Sequence, residues 1–497
     1  MCLLCQSVPN RPSAMAQAQV HVAFMAPVRP TFASYVAPIP QAAINAIADQ
    51  LIHGYWEHQN QSWGGFALQP GGSISVDISG LTAAGQTNAM LALDSWTQAT
   101  GLRFTTVTAG AGAQITIDDA YGGAFATRVV TGQTAQSAQV NVATNWIEAY
   151  GTGVGSYTLQ TFVHEIGHAL GFGHAGNYNG AVQYVGDADI AQDSWQVSVM
   201  SYFSQVQNQT TGSSYAFLSG PMQADIQAAQ WLYGAASGVQ SGHTTYGVGS
   251  DAGAVQTQIG AMMADGTLPV PLSFTVMDRG GFDSFNFSTD RENQAINLAP
   301  GAASSIYGLT GNLLIERMTM IERVFAGLGN DRILGNSAAN ILHGNAGNDQ
   351  INGAGGNDRV YGGAGNDQLY GAAGRNSVFG GTGQDRLISS TGTDQLTGGA
   401  GNDVFAFIPG LVGQPIDRDL IADFVKGVDR IDLRALGPVG AAFSILTGSD
   451  TSILPHLRLE VIEGGTLISG EFDNDQTPEF EIFVSRVTNL SASDFLL

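Results

Sequence analysis

The residues that could do chemistry lie together in the stretch TFVHEIGHALGFGH. It contains three histidines and one acid, at His164, His168, His174 and Glu165. His164 and His168 are one helical turn apart, so both imidazoles can reach one metal ion from the same helix face. Gly171 can end that helix with a positive φ, and the chain then turns to bring His174 back as a third ligand. Three neutral histidines that leave one position for water are typical of a catalytic zinc site.

Glu165 directly follows the first of these histidines and is predicted to act as an acid and base rather than as a ligand. Zinc lowers the pKa of water toward about 7, and Glu165 would take the water's proton as it attacks a peptide carbonyl. Glu165 would then pass that proton to the leaving amine. Ordinary buried histidines are the alternative, but five fixed positions match by chance on the order of 10⁻⁵ times in a chain of this length. The motif therefore predicts a zinc peptidase.

A second pattern fills residues 326–406 with nine consecutive nonapeptides that never slip in register. The fourth position is Gly in eight of the nine, the exception being Ala338, and the eighth position is apolar in all nine. Asn340 and Asn376 occupy the sixth position in two repeats. In the other seven the sixth residue is an aspartate: Asp331, Asp349, Asp358, Asp367, Asp385, Asp394 and Asp403.

This period predicts calcium binding. One buried apolar residue in nine cannot offset an ordering cost of about 1–2 kcal/mol per residue. Stacked repeats align rows of carboxylates and carbonyls, which repel unless a hard cation such as Ca²⁺ lies between them. A flexible Gly-rich linker is the alternative, but a linker has no reason to keep its register. The seven aspartates are the predicted ligands, and sites in the repeats of Asn340 and Asn376 are in doubt.

The charge balance excludes several classes of partner. Asp and Glu number 41 against 18 Lys and Arg, a net charge of −23, which argues against nucleic acid and anionic membrane surfaces. No apolar run approaches the roughly 18 to 20 residues of a membrane span.

The two cysteines, Cys2 and Cys5, permit no disulfide beyond residue 5. A metal site at this pair is one interpretation, and a disordered terminal tail is the other.

The histidine motif, followed by Ser-Val-Met200-Ser-Tyr202, resembles the metzincin metalloproteases. Together with the nonapeptides it resembles the serralysin family, secreted bacterial zinc proteases with a calcium-binding RTX β-roll, over roughly residues 45–497. The resemblance implies that Met200 forms a hydrophobic turn beneath the zinc. It also implies that the Tyr202 phenol ligates the metal at rest and stabilises the oxyanion during turnover. Ala175 departs from the family, which usually has proline after the third histidine.

The resemblance sets the predicted fold class and domain order: an α+β metzincin-type catalytic domain followed by an all-β parallel β-roll. Residues 1–42 are predicted to be a leader or propeptide and 43–238 the zinc metalloprotease domain. A linking β region at 239–325, the calcium roll at 326–406 and a C-terminal β cap at 407–497 follow. Within the catalytic domain, helices are predicted at 83–98, 159–170 and 222–233, and strands at 115–117, 124–130 and 139–143.

The family further implies two nonapeptides per turn of a right-handed roll, and export by a type I secretion apparatus that reads an uncleaved C-terminal signal. Residues 491–497 (SASDFLL) are similar to such a signal. A last strand that covers the roll is the alternative, and both can hold. The chain is thus expected to be secreted without an N-terminal leader signal, extracellular and monomeric.

For each of three further segments, the sequence is compatible with two interpretations. Residues 278–283 (DRGGFD) and 473–479 (DNDQTPE) are either additional calcium loops or solvated surface turns. Residues 139–143 (QVNVA) are either an edge strand on which a peptide substrate pairs or plain core.

The sequence as a whole predicts a secreted zinc endopeptidase with several structural Ca²⁺ ions, acting on proteins and peptides. The first alternative is a calcium-dependent RTX surface or adhesion protein whose protease domain is vestigial. The intact Glu165, histidines and Tyr202 argue against it. The second alternative is a matrixin-like metzincin fused to an unrelated repeat tail.

Overall fold

The computed structural model describes residues 35–236, 239–408, 418–436, 443–446, 454–471 and 477–497. Cys2, Cys5, most of the predicted leader and part of the 473–479 loop lie outside these ranges. A π-helical turn, Gln50–Gly54, joins the first two helices. The helices are α1 (Gln41–Asp49), α2 (Tyr55–His58), α3 (Ala83–Thr100), α4 (Thr144–Tyr150), α5 (Tyr157–Leu170), α6 (Tyr184–Asp187), α7 (Gln223–Tyr233) and α8 (Ala254–Met263).

A five-stranded sheet forms one wall of the N-terminal half. Its strands are β1 (Ser73–Asp77), β2 (Arg103–Thr106), β3 (Ile115–Asp118), β4 (Ala124–Thr131) and β5 (Thr134–Val142). Their order is β2-β1-β3-β5-β4, with β4 antiparallel to β5 and the other pairs parallel. The two edge strands are therefore β2 and β4. Residues 139–142 lie in β5, between β3 and β4, so the edge-strand interpretation of 139–143 is wrong and core is the position they take.

The three predicted helices are confirmed as parts of α3, α5 and α7. Helix α3 begins at Thr82, whose hydroxyl accepts a hydrogen bond from the Gly85 N–H, as helix N-caps commonly do. Its Trp96 indole donates to the Val163 carbonyl of α5 at 2.9 Å. Helix α3 is thereby fixed against the helix that carries the histidine motif.

Helix α5 lies in the interior, and its residues 158–170 are all buried. Ser156 caps its start by accepting from the Leu159 N–H at 3.0 Å. Gly171 ends it with a φ of +119°, in the left-handed region where a side chain is disfavoured. The Trp56 indole donates to the Gly171 carbonyl at 2.8 Å, so the π-turn and α2 hold the end of α5 in place.

The strands of the C-terminal half form two large sheets and one small sheet of four. The strands from β6 to β17 are β6 (Phe217–Leu218), β7 (Thr245–Gly247), β8 (Leu272–Val276), β9 (Ser284–Asn286), β10 (Ala295–Asn297), β11 (Ala303–Ser304), β12 (Leu313–Ile315), β13 (Arg323–Phe325), β14 (Arg332–Leu334), β15 (Ile341–Ala346), β16 (Gln350–Asn352) and β17 (Arg359–Ala364). The remaining strands are β18 (Gln368–Ala373), β19 (Ser377–Thr382), β20 (Arg386–Thr391), β21 (Gln395–Ala400), β22 (Val404–Phe407), β23 (Arg418–Ile421), β24 (Arg430–Asp432), β25 (Ser444–Ile445), β26 (His456–Ile462), β27 (Gly465–Glu471), β28 (Phe480–Ser485) and β29 (Phe495–Leu496).

The nine repeats wind into a roll whose successive strands join opposite sheets. One sheet has the order β10-β14-β16-β18-β20-β22-β24-β29, and the other contains β21-β19-β17-β15-β13-β9-β7. Within the repeats, strands are parallel and pair with the strand 18 residues away, as Ile341 does with Arg359. Eighteen residues are two nonapeptides, so the implied two repeats per turn are confirmed.

The interior of the roll is a stack of single inward side chains. These are the eighth residues of the repeats, each fully buried: Ile333, Leu342, Ile351, Val360, Leu369, Val378, Leu387, Leu396 and Phe405. Because each repeat contributes one such residue, the core is narrow, and the turns must be stabilised by something other than apolar burial.

Both large sheets extend past the nine repeats. Strands β7 and β9 precede them, and β29 pairs in parallel with β24 after them. Residues 495–496 of the C-terminal segment SASDFLL therefore form a strand on the roll, in line with the second interpretation of that segment. In the ranges that the structure describes, no helix is long and apolar enough to cross a membrane.

Candidate metal centre and active site

The three histidines of the motif converge. Helix α5 carries His164 and His168, and the turn after Gly171 returns His174 to the same point. One ring nitrogen from each lies within 4.8 Å of the others. The Nε2 atoms of His168 and His174 are 3.1 Å apart. All three side chains are buried, so the predicted ligands form one compact group.

Backbone carbonyls fix the orientation of all three rings. Each Nδ1 lies at hydrogen-bonding distance from a carbonyl oxygen, and a carbonyl can only accept. Each Nδ1 therefore carries the proton, which leaves the Nε2 lone pair free for a metal. Burial also lowers the pKa of every ring, that of His164 to about 4, and so keeps the ligands neutral. His164 donates to the Val199 carbonyl at 2.8 Å, His168 to the Phe172 carbonyl at 2.7 Å, and His174 to the Tyr178 carbonyl at 2.8 Å.

Glu165 is completely buried, and neither of its carboxylate oxygens has a hydrogen-bond partner in the described part of the protein. Burial raises the pKa of Glu165 to about 8. A buried carboxyl without a partner is costly, and the cost falls if a water or cation completes the site. The Nε2 of His164 is also buried without a partner. Three converging imidazole nitrogens fit a zinc ion.

Met200 packs directly against α5. It is fully buried, and a Cβ built on Gly167 would lie 2.6 Å from its sulfur and 3.1 Å from Cζ2 of Trp96. A methyl group at residue 167 would therefore displace the Met200 side chain from its contact with the helix. Gly167 was not predicted to have a role, although a glycine inside a buried helix is the signal that could have indicated one.

Asp225 anchors that turn, and the sequence analysis did not identify it as a site residue. Its carboxylate accepts from the Ser198 hydroxyl at 2.6 Å and from the Val199 and Met222 N–H groups at 2.7 and 2.8 Å. Burial raises the pKa of Asp225 to about 6. The Val199 carbonyl faces His164, and the N–H of the same residue donates to Asp225. Asp225 thus holds the residue that orients this candidate ligand, and it links the turn to the start of α7.

Tyr202 lies beside the histidines, as the resemblance implies. Its ring centroid is 4.4 Å from that of His174 and 5.9 Å from that of His164. Its backbone N–H donates to the Tyr178 hydroxyl at 3.4 Å, and that hydroxyl donates to the buried carboxylate of Asp193 at 2.9 Å. The Tyr178 ring also stacks on His174. Tyr178 thus connects Tyr202 to the third histidine, while the roles expected of the Tyr202 phenol stay predictions.

A cleft of about 430 Å³ opens beside the histidines. The residues that line it include Tyr55 and Trp56, residues 126–128 and Val130 of the edge strand β4, and His168. An edge strand presents unpaired N–H and C=O groups, to which an extended peptide can add as a further strand. The edge strand β4 and the candidate metal ligand His168 therefore line the same cleft.

The aspartates of the repeats form ladders along the two edges of the roll. One carboxylate oxygen accepts from the backbone N–H one full turn earlier, as Oδ1 of Asp367 does from Asp349 at 2.8 Å. Burial raises the pKa of these aspartates, that of Asp349 to about 8 and that of Asp385 to about 7. In five of them the second oxygen is buried without a partner in the described residues: Asp349, Asp358, Asp367, Asp385 and Asp403. Rows of partnerless carboxylate oxygens fit a hard cation such as Ca²⁺.

The two edges of the roll differ. The turns that lead into β16, β18, β20 and β22 carry an unbroken row of aspartates. On the opposite edge, the Asn376 amide donates to the carbonyls of Ala372 and Gly374 and to Asp394. The Ser389 hydroxyl donates to the second oxygen of Asp394 at 2.7 Å. Side-chain donors here partly satisfy the oxygens that a cation would otherwise bind.

The 278–283 loop has exposed glycines at its tip but two buried aspartates. The Tyr246 hydroxyl donates to Asp278 at 3.0 Å, and the Asp283 N–H donates to Glu322 at 2.7 Å. Burial, with Asp278 and Glu322 nearby, raises the pKa of Asp283 to about 7. A solvated turn does not describe these aspartates, and the calcium-loop interpretation remains a prediction.

We predict that Gly167→Ala lowers stability by about 1–3 kcal/mol, because the added methyl overlaps the Met200 sulfur. Thermal unfolding measures the loss, and Gly122→Ala, where a Cβ meets nothing within 4 Å, is the matched control. Truncation of Met200 to Ala makes room for the methyl, so Gly167→Ala should cost less in that background. Equal costs in both backgrounds would contradict the packing argument.

Comparison with known proteins agrees with this geometry. Residues 235–495 match the family model Peptidase M10 serralysin C terminal, and residues 115–259 match Peptidase M66. Metallopeptidase AprA of Pseudomonas marginalis is 36% identical over 293 residues, which are 55% of this chain and 60% of that protein. Metalloprotease AprA of Pseudomonas entomophila (strain L48) is 41% identical over 38% of this chain and 39% of its own length.

Serralysin of Photorhabdus luminescens is 38% identical over 286 residues, covering 56% of this chain and 50% of that protein. The matched part thus spans between 39 and 60% of the length of these three relatives. The match to the serralysin C-terminal family model alone covers more than half of this chain. The chain therefore belongs to the serralysin family of M10 peptidases.

Proposed function

We propose that this protein is a secreted zinc-dependent endopeptidase whose catalytic domain is stabilised by a calcium-bound β-roll. The observation that carries the proposal is the convergence of three buried histidines, with the buried, unpaired carboxyl of Glu165 on the residue that follows the first of them. The names of its relatives, metallopeptidase and serralysin, support the same activity.

The histidines and Glu165 have different roles at this site. His164, His168 and His174 would hold one zinc ion, which when bound polarises the substrate carbonyl and lowers the pKa of a water molecule. Glu165 takes a proton from the attacking water on a carboxylate oxygen and delivers it to the departing amine nitrogen.

Tyr202 and the edge strand complete the proposed machinery. The Tyr202 phenol lies against His174 and is suited to donate a hydrogen bond to the substrate oxygen on which negative charge develops. The open edge of β4 would hold the peptide extended across the cleft, so that one peptide bond lies beside Glu165. Folded proteins must present a loop to enter such a cleft, so exposed segments of proteins are the expected substrates.

Calcium is proposed to stabilise the roll rather than to take part in hydrolysis. The unpaired carboxylate oxygens lie along the roll, and Ca²⁺ would neutralise their mutual repulsion. The loop containing Asp278 and Asp283 is a further candidate position. The C-terminal segment is proposed to serve a type I secretion apparatus while unfolded, and to become β29 of the roll afterwards.

The alternatives are less well supported. A vestigial protease domain has no reason to keep Glu165 buried and unpaired at a cost in stability. A matrixin-like protease with an unrelated repeat tail disagrees with the family match, which covers residues 235–495.

Replacing Glu165 by Gln should reduce kcat for casein cleavage by about 10²–10⁴-fold, because the amide cannot accept the proton. The variant should still bind one zinc per chain, since the histidines are unchanged. Glu148→Gln alters an exposed glutamate of α4 and is the matched control. Retention of wild-type activity by Glu165→Gln, with zinc bound, would contradict the proposed mechanism.

Asp367 and Asp394 form a matched pair for the calcium proposal. Asp367→Asn should lower the number of bound Ca²⁺ ions and the Tm in millimolar calcium, because it removes an unpaired buried oxygen. Asp394→Asn should change both less, because Ser389 already donates to that carboxylate. Calcium titration calorimetry and thermal unfolding measure the two effects. Equal losses in both variants would contradict the difference between the two edges.

The aspartate pKa values also predict an unusual pH dependence without calcium. Burial raises the pKa of Asp349, Asp358 and Asp385 from 3.8 to about 7 or 8, so the folded protein binds more protons than the unfolded chain. Stability of calcium-depleted protein should therefore fall as the pH rises from about 4 to about 8. We expect a lower Tm at pH 8 than at pH 5.5, and millimolar calcium should remove or reverse this difference. A higher Tm at pH 8 without calcium would contradict it.

A further inference from the structure

One guanidinium faces the cleft, and it belongs to Arg128 on the edge strand β4. Its central carbon lies 4.0 Å from the centroid of the Trp56 ring, the geometry of a cation–π contact. Its Nη1 donates to the Gly64 carbonyl at 2.6 Å. The side chain is therefore held in one position at the cleft wall, instead of extending freely into water.

Arg128 has no carboxylate partner among the described residues. The bond to Gly64 is the one hydrogen bond that its side chain makes to them, although a guanidinium carries five N–H donors. Burial without a counter-charge lowers the pKa of Arg128 to about 10. Arg279, another partly buried arginine, by contrast pairs with Glu316 at 2.7 Å.

The other polar residues that line the cleft are uncharged, and they include the neutral candidate zinc ligand His168. They include Gln59, Gln61, Ser62, Thr127 and Asn179, and none of the described lining residues is acidic. The cleft thus offers a single fixed positive charge next to His168. An anionic group that enters the cleft can bind the open guanidinium donors with a charge-assisted hydrogen bond.

We propose that Arg128 is a specificity-determining residue that selects an aspartate or glutamate side chain of the substrate close to the scissile bond. The inference rests on the proposed peptidase function and adds the class of substrate residue. A peptide that pairs along β4 passes Arg128 on the same strand, so one side chain of the peptide points at the guanidinium. A glutamine at that position is isosteric but uncharged, and it leaves the guanidinium without its counter-charge.

The test uses a panel of quenched fluorescent peptides, identical except that one residue at a time, on either side of the scissile bond, is Glu or Gln. For the zinc- and calcium-loaded wild type we expect kcat/KM to favour Glu by tenfold or more at one position. In Arg128→Gln the ratio at that position should fall to near one. Arg128→Lys should keep part of it, because lysine retains the charge but not the planar fork. Arg103→Gln, at an exposed arginine of β2, should leave the ratio unchanged.

Binding is measured separately from turnover. Fluorescence anisotropy gives the Kd of the same peptides for Glu165→Gln and for the Glu165→Gln/Arg128→Gln double variant, so the preference is tested even if no peptide is cut. Binding without cleavage by zinc-loaded wild type would overturn the peptidase proposal and leave the preference for Glu standing. Equal affinity and equal cleavage for Glu and Gln at every position would overturn the role of Arg128.

The peptides are compared with free and with amidated C-termini. A preference that follows the free C-terminus, and is independent of Glu, would identify the bound group as the end of the chain and overturn the side-chain proposal. If Arg128→Gln is unstable, Arg128→Lys and the Glu-to-Gln comparison in the wild type still decide the question.

Discussion

The orientation of the three histidine rings depends on backbone carbonyls from three separate segments. The Phe172 carbonyl follows the end of α5, and the Tyr178 carbonyl lies in the loop beyond His174. The Val199 carbonyl lies in the turn that Asp225 holds. A ring whose Nδ1 lost its acceptor could rotate or change tautomer, and its Nε2 would no longer face the metal. Neighbouring elements hold two of these segments. Trp96 of α3 stacks on Phe172, and the Gly173 N–H donates to the Leu51 carbonyl of the π-turn. Asp225 of α7 accepts from the Val199 N–H.

Both halves of the molecule bury carboxylate oxygens that have no partner in the described part of the chain. In the N-terminal half these are the two oxygens of Glu165, and in the roll they are the second oxygens of a row that includes Asp349, Asp367 and Asp385. Each such group destabilises the protein without a cation and stabilises it with one, because the desolvation cost is already part of the fold. The narrow core of the roll makes this dependence strong, since one inward side chain per repeat adds little apolar stabilisation. Where the chain supplies its own donors, as Asn376 and Ser389 do, that dependence is weaker.

The features that the sequence predicted well are those with local or periodic causes. Helical spacing placed His164 and His168 on one face, and the nine-residue period predicted which nine side chains face inward. Asp225, Gly167 and Arg128 were missed because their partners are distant in the chain. Arg128 contacts Gly64 and Trp56, and no spacing rule connects such positions. The edge strand was misassigned for the same reason: β4 and β5 are both strand-like runs, and strand order depends on tertiary packing.

The two halves are coupled through shared secondary structure rather than through a flexible linker. Strand β6, which lies just before α7, pairs with β8 in the four-stranded sheet. The Gln223 amide of α7 donates to the Ile315 carbonyl of β12, and Asp94 of α3 accepts from the N–H groups at the start of α8. Helix α7 also contains Asp225, which holds the turn that faces His164. A roll whose folding depends on calcium, as proposed, would thus support the geometry of the histidine site through α7.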